Sequence, residues 1–119
     1  MQGDVLIHNT IGFLGTKQHQ MSDDGSGYVS KHRHDLLKSS DRNFRPVDME
    51  FAPDGSLYLL DWHNVLVGHM QHSARDPLRD HVHGRVYRIT YPSRPLVKPP
   101  AVHGAKIDVL LDNLKLPEY

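Results

Sequence analysis

The sequence contains no cysteine, which excludes disulfides, thiolate nucleophiles, Cys-ligated metals and thioether-attached haem within these 119 residues. It also lacks an excess of charge of either sign. Lysines plus arginines number 14, as do aspartates plus glutamates, so the electrostatic footprint of a nucleic-acid binder or of a protein drawn to an anionic membrane is missing. No apolar run approaches the roughly 20 residues of a spanning helix, and no direct membrane insertion by this segment is expected. The opening residues Met1, Gln2, Gly3 and Asp4 carry neither the basic nor the apolar region of a signal peptide. No stretch is dominated by proline and glycine or by one sign of charge long enough to imply a disordered chain.

What the sequence does contain is enough for a packed core: 38% hydrophobic and 24% charged residues. Its compositional excess is histidine, ten in all, so the chain turns cationic as the pH falls below neutrality. Length alone suggests one domain, but the pattern along the chain suggests something less self-contained.

Residues 3–9, GDVLIHN, are a short apolar run bounded by Gly and Asn and predict a buried strand. A second extended stretch over 16–22 runs into Asp23, Asp24, Gly25, Ser26 and Gly27, which supply the positive-φ residues of a tight hairpin, and 28–38 returns as its partner. The clearest hairpin follows. Val47, Met49 and Phe51 alternate with Asp48 and Glu50, Pro53, Asp54 and Gly55 make the turn, and 57–60 returns to end at Asp61 and Trp62. Residues 64–80 break this rhythm and read as an irregular loop with a helical turn or two. A strand resumes at 84–91, with Tyr87, Ile89 and Tyr91 on one face. The proline-rich stretch 92–103 reads as a stiff linker. Within 104–119, Ile107, Leu110, Leu111 and Leu114 fall at helical spacing.

Strand, turn, strand, aspartate, long loop, strand is the order in which a β-propeller blade is written, in units of about 40–50 residues. Since propellers close with about 4–8 blades, residues 1–91 are expected to cover about two blades of an all-β partial propeller. Such an arc needs neighbouring blades as partners, because its faces and edges are otherwise uncovered. The competing expectation is a free-standing small β domain carrying a terminal helix.

Residues 44–62, FRPVDMEFAPDGSLYLLDW, resemble the blade signature of the glucose/sorbosone dehydrogenase-type propellers. Residues 76–89, DPLRDHVHGRVYRI, taken with Gly12, Phe13 and residues 68–72, GHMQH, are similar to the membrane-bound dehydrogenases of planctomycetes, verrucomicrobia and their relatives. Those are large exported proteins in which a propeller is followed by HEAT-like helical repeats and often by a c-type cytochrome module. The resemblance implies that 104–119 opens a helical repeat region and that the parent protein works in the periplasm or cell envelope, its signal lying upstream. It also implies a fragment of a sugar or polyol dehydrogenase that passes electrons to a cytochrome, with haem confined to the parent's other regions. The fragment alone is then expected to be inactive. The alternative is a non-catalytic propeller that binds a glycan or a partner protein.

The cofactor implied by the resemblance is pyrroloquinoline quinone with calcium. Its three carboxylates call for fixed opposite charges, which Arg supplies best through bidentate geometry. The family's cationic contacts fall at Arg45, Val47 and near Ile11, and only Arg45 is charged here. The alternative for Arg45 is an exposed pair with Asp41. The second constellation is His63, His69, His72, His81 and His83, with Asp61, Asp76 and Asp80 interspersed. His69 and His72 would share one side of a helical turn, and His81 and His83 one face of a strand. Such imidazoles could ligate a transition metal, cap backbone groups, or take the proton from a sugar hydroxyl. His63 and His83 are the candidates for that catalytic role, and Trp62, His69, His72 and His81 for lining the cleft. Trp62 is alternatively packing, Asp61 is expected to brace the blade through backbone hydrogen bonds, and Arg85 and Arg88 read as surface residues.

Overall fold

The computed structural model describes residues 3–65 and 75–116. Six strands and one helix follow in order: β1 (Asp4–Asn9), β2 (Gly15–Asp24), β3 (Gly27–Lys38), β4 (Pro46–Phe51), β5 (Leu57–Asp61), β6 (Arg85–Ile89) and α1 (Ile107–Asn113). The strands form two antiparallel three-stranded sheets, β1-β2-β3 and β4-β5-β6, each built from consecutive strands. The fold is thus mostly β. The chain clusters into two compact units, residues 1–48 with 59–87, and residues 49–58 with 88–119.

The first hairpin forms because Gly25 accepts a φ of +61° at the turn between β2 and β3. Its start depends on Gly15, where an added Cβ would meet the Leu37 carbonyl oxygen on β3. Two register shifts, between Thr16 and Lys17 and between Gln18 and His19, then carry the pairing along β3. The buried face of this sheet is polar. Thr16 and Gln18 are fully covered, Thr16 Oγ1 lies 2.8 Å from His8 Nδ1, and Gln18 donates to Asp4.

That polar lining explains where β1 departs from its sequence pattern. Residues 3–9 were expected to form a buried strand, but Val5 and Ile7 are 41% and 45% exposed while Asp4, Leu6 and His8 turn inward. Strand alternation allows only one of the two sets inside, and the inward set is the one that bonds Gln18 and Thr16.

The second hairpin turns at Pro53 and Asp54, with the Gly55 amide donating to the Ala52 carbonyl at 2.8 Å and Gly55 at a φ of +81°. Asp54 Oδ1 accepts the Ser56 amide at 2.9 Å, which fixes the turn from within. Along β5 the alternation is complete: Leu57, Leu59 and Asp61 are buried, and Tyr58 and Leu60 face out. Phe44 packs edge to face on Tyr87 at 5.8 Å. Among the described residues, Phe44, Leu57 and Leu59 make up the buried hydrophobic core.

On β6 the half-buried positions are Arg85, Tyr87 and Ile89, while Tyr91 is 70% exposed beyond the strand's end. In the second unit, Leu110 and Leu111 of α1 and Leu114, which caps its C-terminal end, line an apolar cavity of about 260 Å³ with Pro100, Val102 and Asn113. One short helix is described in the region where helical repeats were expected to begin.

Candidate functional site

The site is organised by two aspartates of the first unit. Asp61 ends β5 with its side chain fully buried. Its Oδ1 accepts the amides of Arg45 at 2.7 Å and His63 at 2.9 Å, and its Oδ2 accepts from Arg85 Nε at 2.6 Å. A strand-ending carboxylate bonding the amide two residues on is an Asx turn, and it holds His63 at a φ of +54°, a conformation that non-glycine residues seldom adopt. The backbone is closed on the other side by Trp62 donating to the Arg45 carbonyl at 2.9 Å.

Asp80 does the same for the second histidine. Its Oδ1 accepts the Val82 amide at 2.9 Å and the His83 amide at 3.0 Å, and its Oδ2 lies 2.7 Å from His83 Nδ1. The Val82 amide above all, then the His83 amide and imidazole, hold the Asp80 carboxyl down to about 2. An ionised carboxylate only accepts, so His83 Nδ1 carries the proton of this bond, and in the neutral imidazole Nε2 has the lone pair. With 70% of its side chain exposed, His83 presents that nitrogen to solvent. His63 Nε2 lies 3.7 Å from the same carboxylate oxygen, and the two imidazoles meet edge to face at 6.0 Å.

Trp62 precedes His63 and Arg79 precedes Asp80, and this pair also meets. The Arg79 guanidinium lies 4.5 Å from the Trp62 ring centroid, with the indole 40% exposed. Residues 62 and 63 therefore face residues 79 and 80 as two adjacent contacts, one aromatic and one acid–base.

Of the residues singled out from sequence, Trp62, His63 and His83 come together here. His81 is exposed and outside the cluster. His69 and His72 lie outside the described residues. Arg45 differs from its expected surface pair with Asp41: it is only 7% exposed, and its guanidinium donates to the carbonyls of Phe44 at 2.8 Å and Val65 at 3.0 Å. Asp41 instead accepts from Arg85 Nη1 at 2.7 Å. Arg85, expected at the surface, is thus a half-buried brace between Asp41 and Asp61. The Asn43 amide first and Arg85 second hold the Asp41 carboxyl below its ordinary value. Arg88 pairs with Asp54 at the hairpin turn. The role of Asp80 was not assigned from sequence, although a carboxylate three residues before a histidine is the spacing by which Asx-type turns capture both amide and ring.

Among the described residues, the positions where the quinone's cationic contacts were expected do not make a cradle for its three carboxylates. Arg45 is buried with its guanidinium donating to two backbone carbonyls, Arg85 is divided between two aspartates, and Val47 and Ile11, both exposed, are uncharged. Among the described residues, no group of three or more His, Asp or Glu side chains is placed to hold a metal ion.

Comparison with curated proteins and with solved structures finds no match. A family profile covers most of the chain, including both sheets and the Asp61 and Asp80 clusters, and by it the chain belongs to the family described as Domain of unknown function (DUF7133), matched over residues 1–93.

Proposed function

We propose that this chain is a segment of a β-propeller dehydrogenase acting on a sugar or polyol, and that Trp62, His63, Asp80 and His83 form part of the mouth that receives the substrate. The observation that carries this reading is the Asp80–His83 pair: a carboxylate fixes the imidazole's tautomer and leaves Nε2 open to solvent. Such a nitrogen can take the proton of a substrate hydroxyl while the hydride on the same carbon leaves for an acceptor that these residues do not hold. Trp62, 40% exposed with Arg79 against its ring, supplies aromatic surface of the kind on which the C–H face of a sugar ring packs.

The propeller itself is supported by two things. One is the resemblance of residues 44–62 and 76–89 to blades of sugar-dehydrogenase propellers. The other is the shape of the hydrophobic ledger: Val5, Ile7, Tyr28, Val29, Val47 and Phe51 are all at least 41% exposed, on strands whose own sheet buries few apolar side chains. A blade is a four-stranded antiparallel unit that packs face to face with its neighbours, and outward apolar residues on both sheets are what such neighbours would cover. On this reading the partners are further blades and helical repeats of a parent protein in the cell envelope, and electrons pass to a cytochrome module there.

The alternative is a propeller that binds a glycan without oxidising it. The burial of Arg45, whose guanidinium donates to two backbone carbonyls, favours it. The test is turnover by the complete protein, supplied with pyrroloquinoline quinone and calcium, against a panel of sugars with an artificial electron acceptor. The dehydrogenase reading expects dye reduction that falls about 10²–10⁴-fold in His83→Gln. Saturable sugar binding with no reduction would leave the glycan-binding reading standing alone.

A further inference from the structure

A second pair of histidines lies away from this site, on the first sheet. His19 of β2 and His32 of β3 are direct cross-strand partners, and their rings meet at 5.4 Å between centroids, inclined by 73°. We infer that His19 and His32 form a two-imidazole site for a divalent transition-metal ion of the zinc class, with Asp35 as the outer carboxylate that orients His32.

The distance carries the argument. A ring nitrogen sits about 1.1 Å from its centroid and binds zinc at roughly 2.0–2.1 Å, so two imidazoles on one tetrahedral ion have centroids about 5 Å apart. The pair therefore stands close to the separation that shared coordination requires, on two hydrogen-bonded strands. The hydrogen bonds choose the nitrogens. His32 Nε2 lies 3.0 Å from Asp35 Oδ1, so it carries the proton and leaves Nδ1 with a lone pair. His19 Nδ1 lies 3.4 Å from Ser30 Oγ, and in the tautomer whose Nδ1–H donates to that hydroxyl the nitrogen open to a metal is Nε2. A carboxylate bonded to the far nitrogen of a metal-binding imidazole is the usual outer partner, raising its basicity and fixing its orientation.

Two neutral nitrogen donors select zinc, nickel or copper over calcium or magnesium, which demand oxygen. Two protein ligands leave the remaining positions to water, so the site is an open clip rather than a closed structural cage. Because the clip joins β2 to β3, bound metal holds the long edge strand against its neighbour.

The experiment is zinc affinity of the tag-free chain at pH 7.5, measured by competition with a chromogenic chelator. His19→Gln and His32→Gln are each expected to weaken the tightest site at least tenfold, Asp35→Asn about tenfold, and His83→Gln not at all. Hydrogen exchange of the unsubstituted chain gives a readout that needs no variant: zinc, and not magnesium, is expected to slow the amides of β3. The inference is overturned if the chain binds no zinc below about 1 mM, if His83→Gln rather than the two sheet histidines removes the site, or if β3 exchanges at the same rate with and without zinc.

Discussion

Asp61 accepts three hydrogen bonds with its two oxygens, two from backbone amides on either side of the site and one from Arg85, and its side chain has no exposure at all. Removing it would strand a half-buried guanidinium and two amides, so Asp61→Ala is expected to cost about 3–5 kcal/mol, and Asp61→Asn less because the amides keep an acceptor. Chemical denaturation reads the difference. Titration adds a second residue-scale expectation. Burial lowers the His8 pKa below its ordinary 6.5, against a raising contribution from Asp48, so the folded state prefers neutral His8. Its stability is then full above pH 6.5 and falls as the pH drops through that value toward the lowered folded pKa. Asp80 acts at lower pH: its contribution is present above the ordinary carboxyl value of 3.8 and is lost as the pH falls to about 2. Midpoint stability against pH should therefore decline in two windows, and His8→Gln should flatten the first. Sequence pattern made part of this scale legible. His63, His83 and Trp62 stand out by type and spacing, and Asp61 by its position at a strand end. Arg85 does not, because nothing local says that a strand arginine will reach Asp41 across 44 residues of chain.

At the scale of elements, hairpins were the most legible feature. Both turns carry the residues that their backbone demands, Asp24 and Gly25 in one and Pro53, Asp54 and Gly55 in the other, and turn chemistry is local. The inward face of β1 was not legible. Val5 and Ile7 advertise burial, and only the tertiary partners Thr16 and Gln18 explain why Asp4 and His8 turn in instead. Two substitutions test the packing of the sheets. Leu59, with no exposure, sits on the buried face of β5, and Leu59→Ala is expected to destabilise by about 2–5 kcal/mol. Gly15→Ala drives a methyl into the Leu37 carbonyl and is expected to cost about 1–3 kcal/mol while loosening β3, which hydrogen exchange over residues 27–38 would report.

For the whole molecule, the balance of buried and exposed apolar side chains is the governing fact. A core of Phe44, Leu57 and Leu59 among the described residues is small against the apolar surface left open on the strands of both sheets, and β3 presents 12 residues of edge strand. The isolated chain is therefore expected to self-associate, with sedimentation that depends on concentration; a monomer at all concentrations with one sharp cooperative melt would favour the free-standing domain. The most direct test of the proposed site uses the single tryptophan of the sequence, Trp62. Its fluorescence reports from beside His63 and against Arg79, in the intact parent protein when that protein's other tryptophans are replaced by phenylalanine. A saturable change with a sugar or polyol, lost when His83 and Asp80 are substituted together, is the expected result; a sugar that binds the protein while Trp62 emission stays unchanged would place the substrate elsewhere.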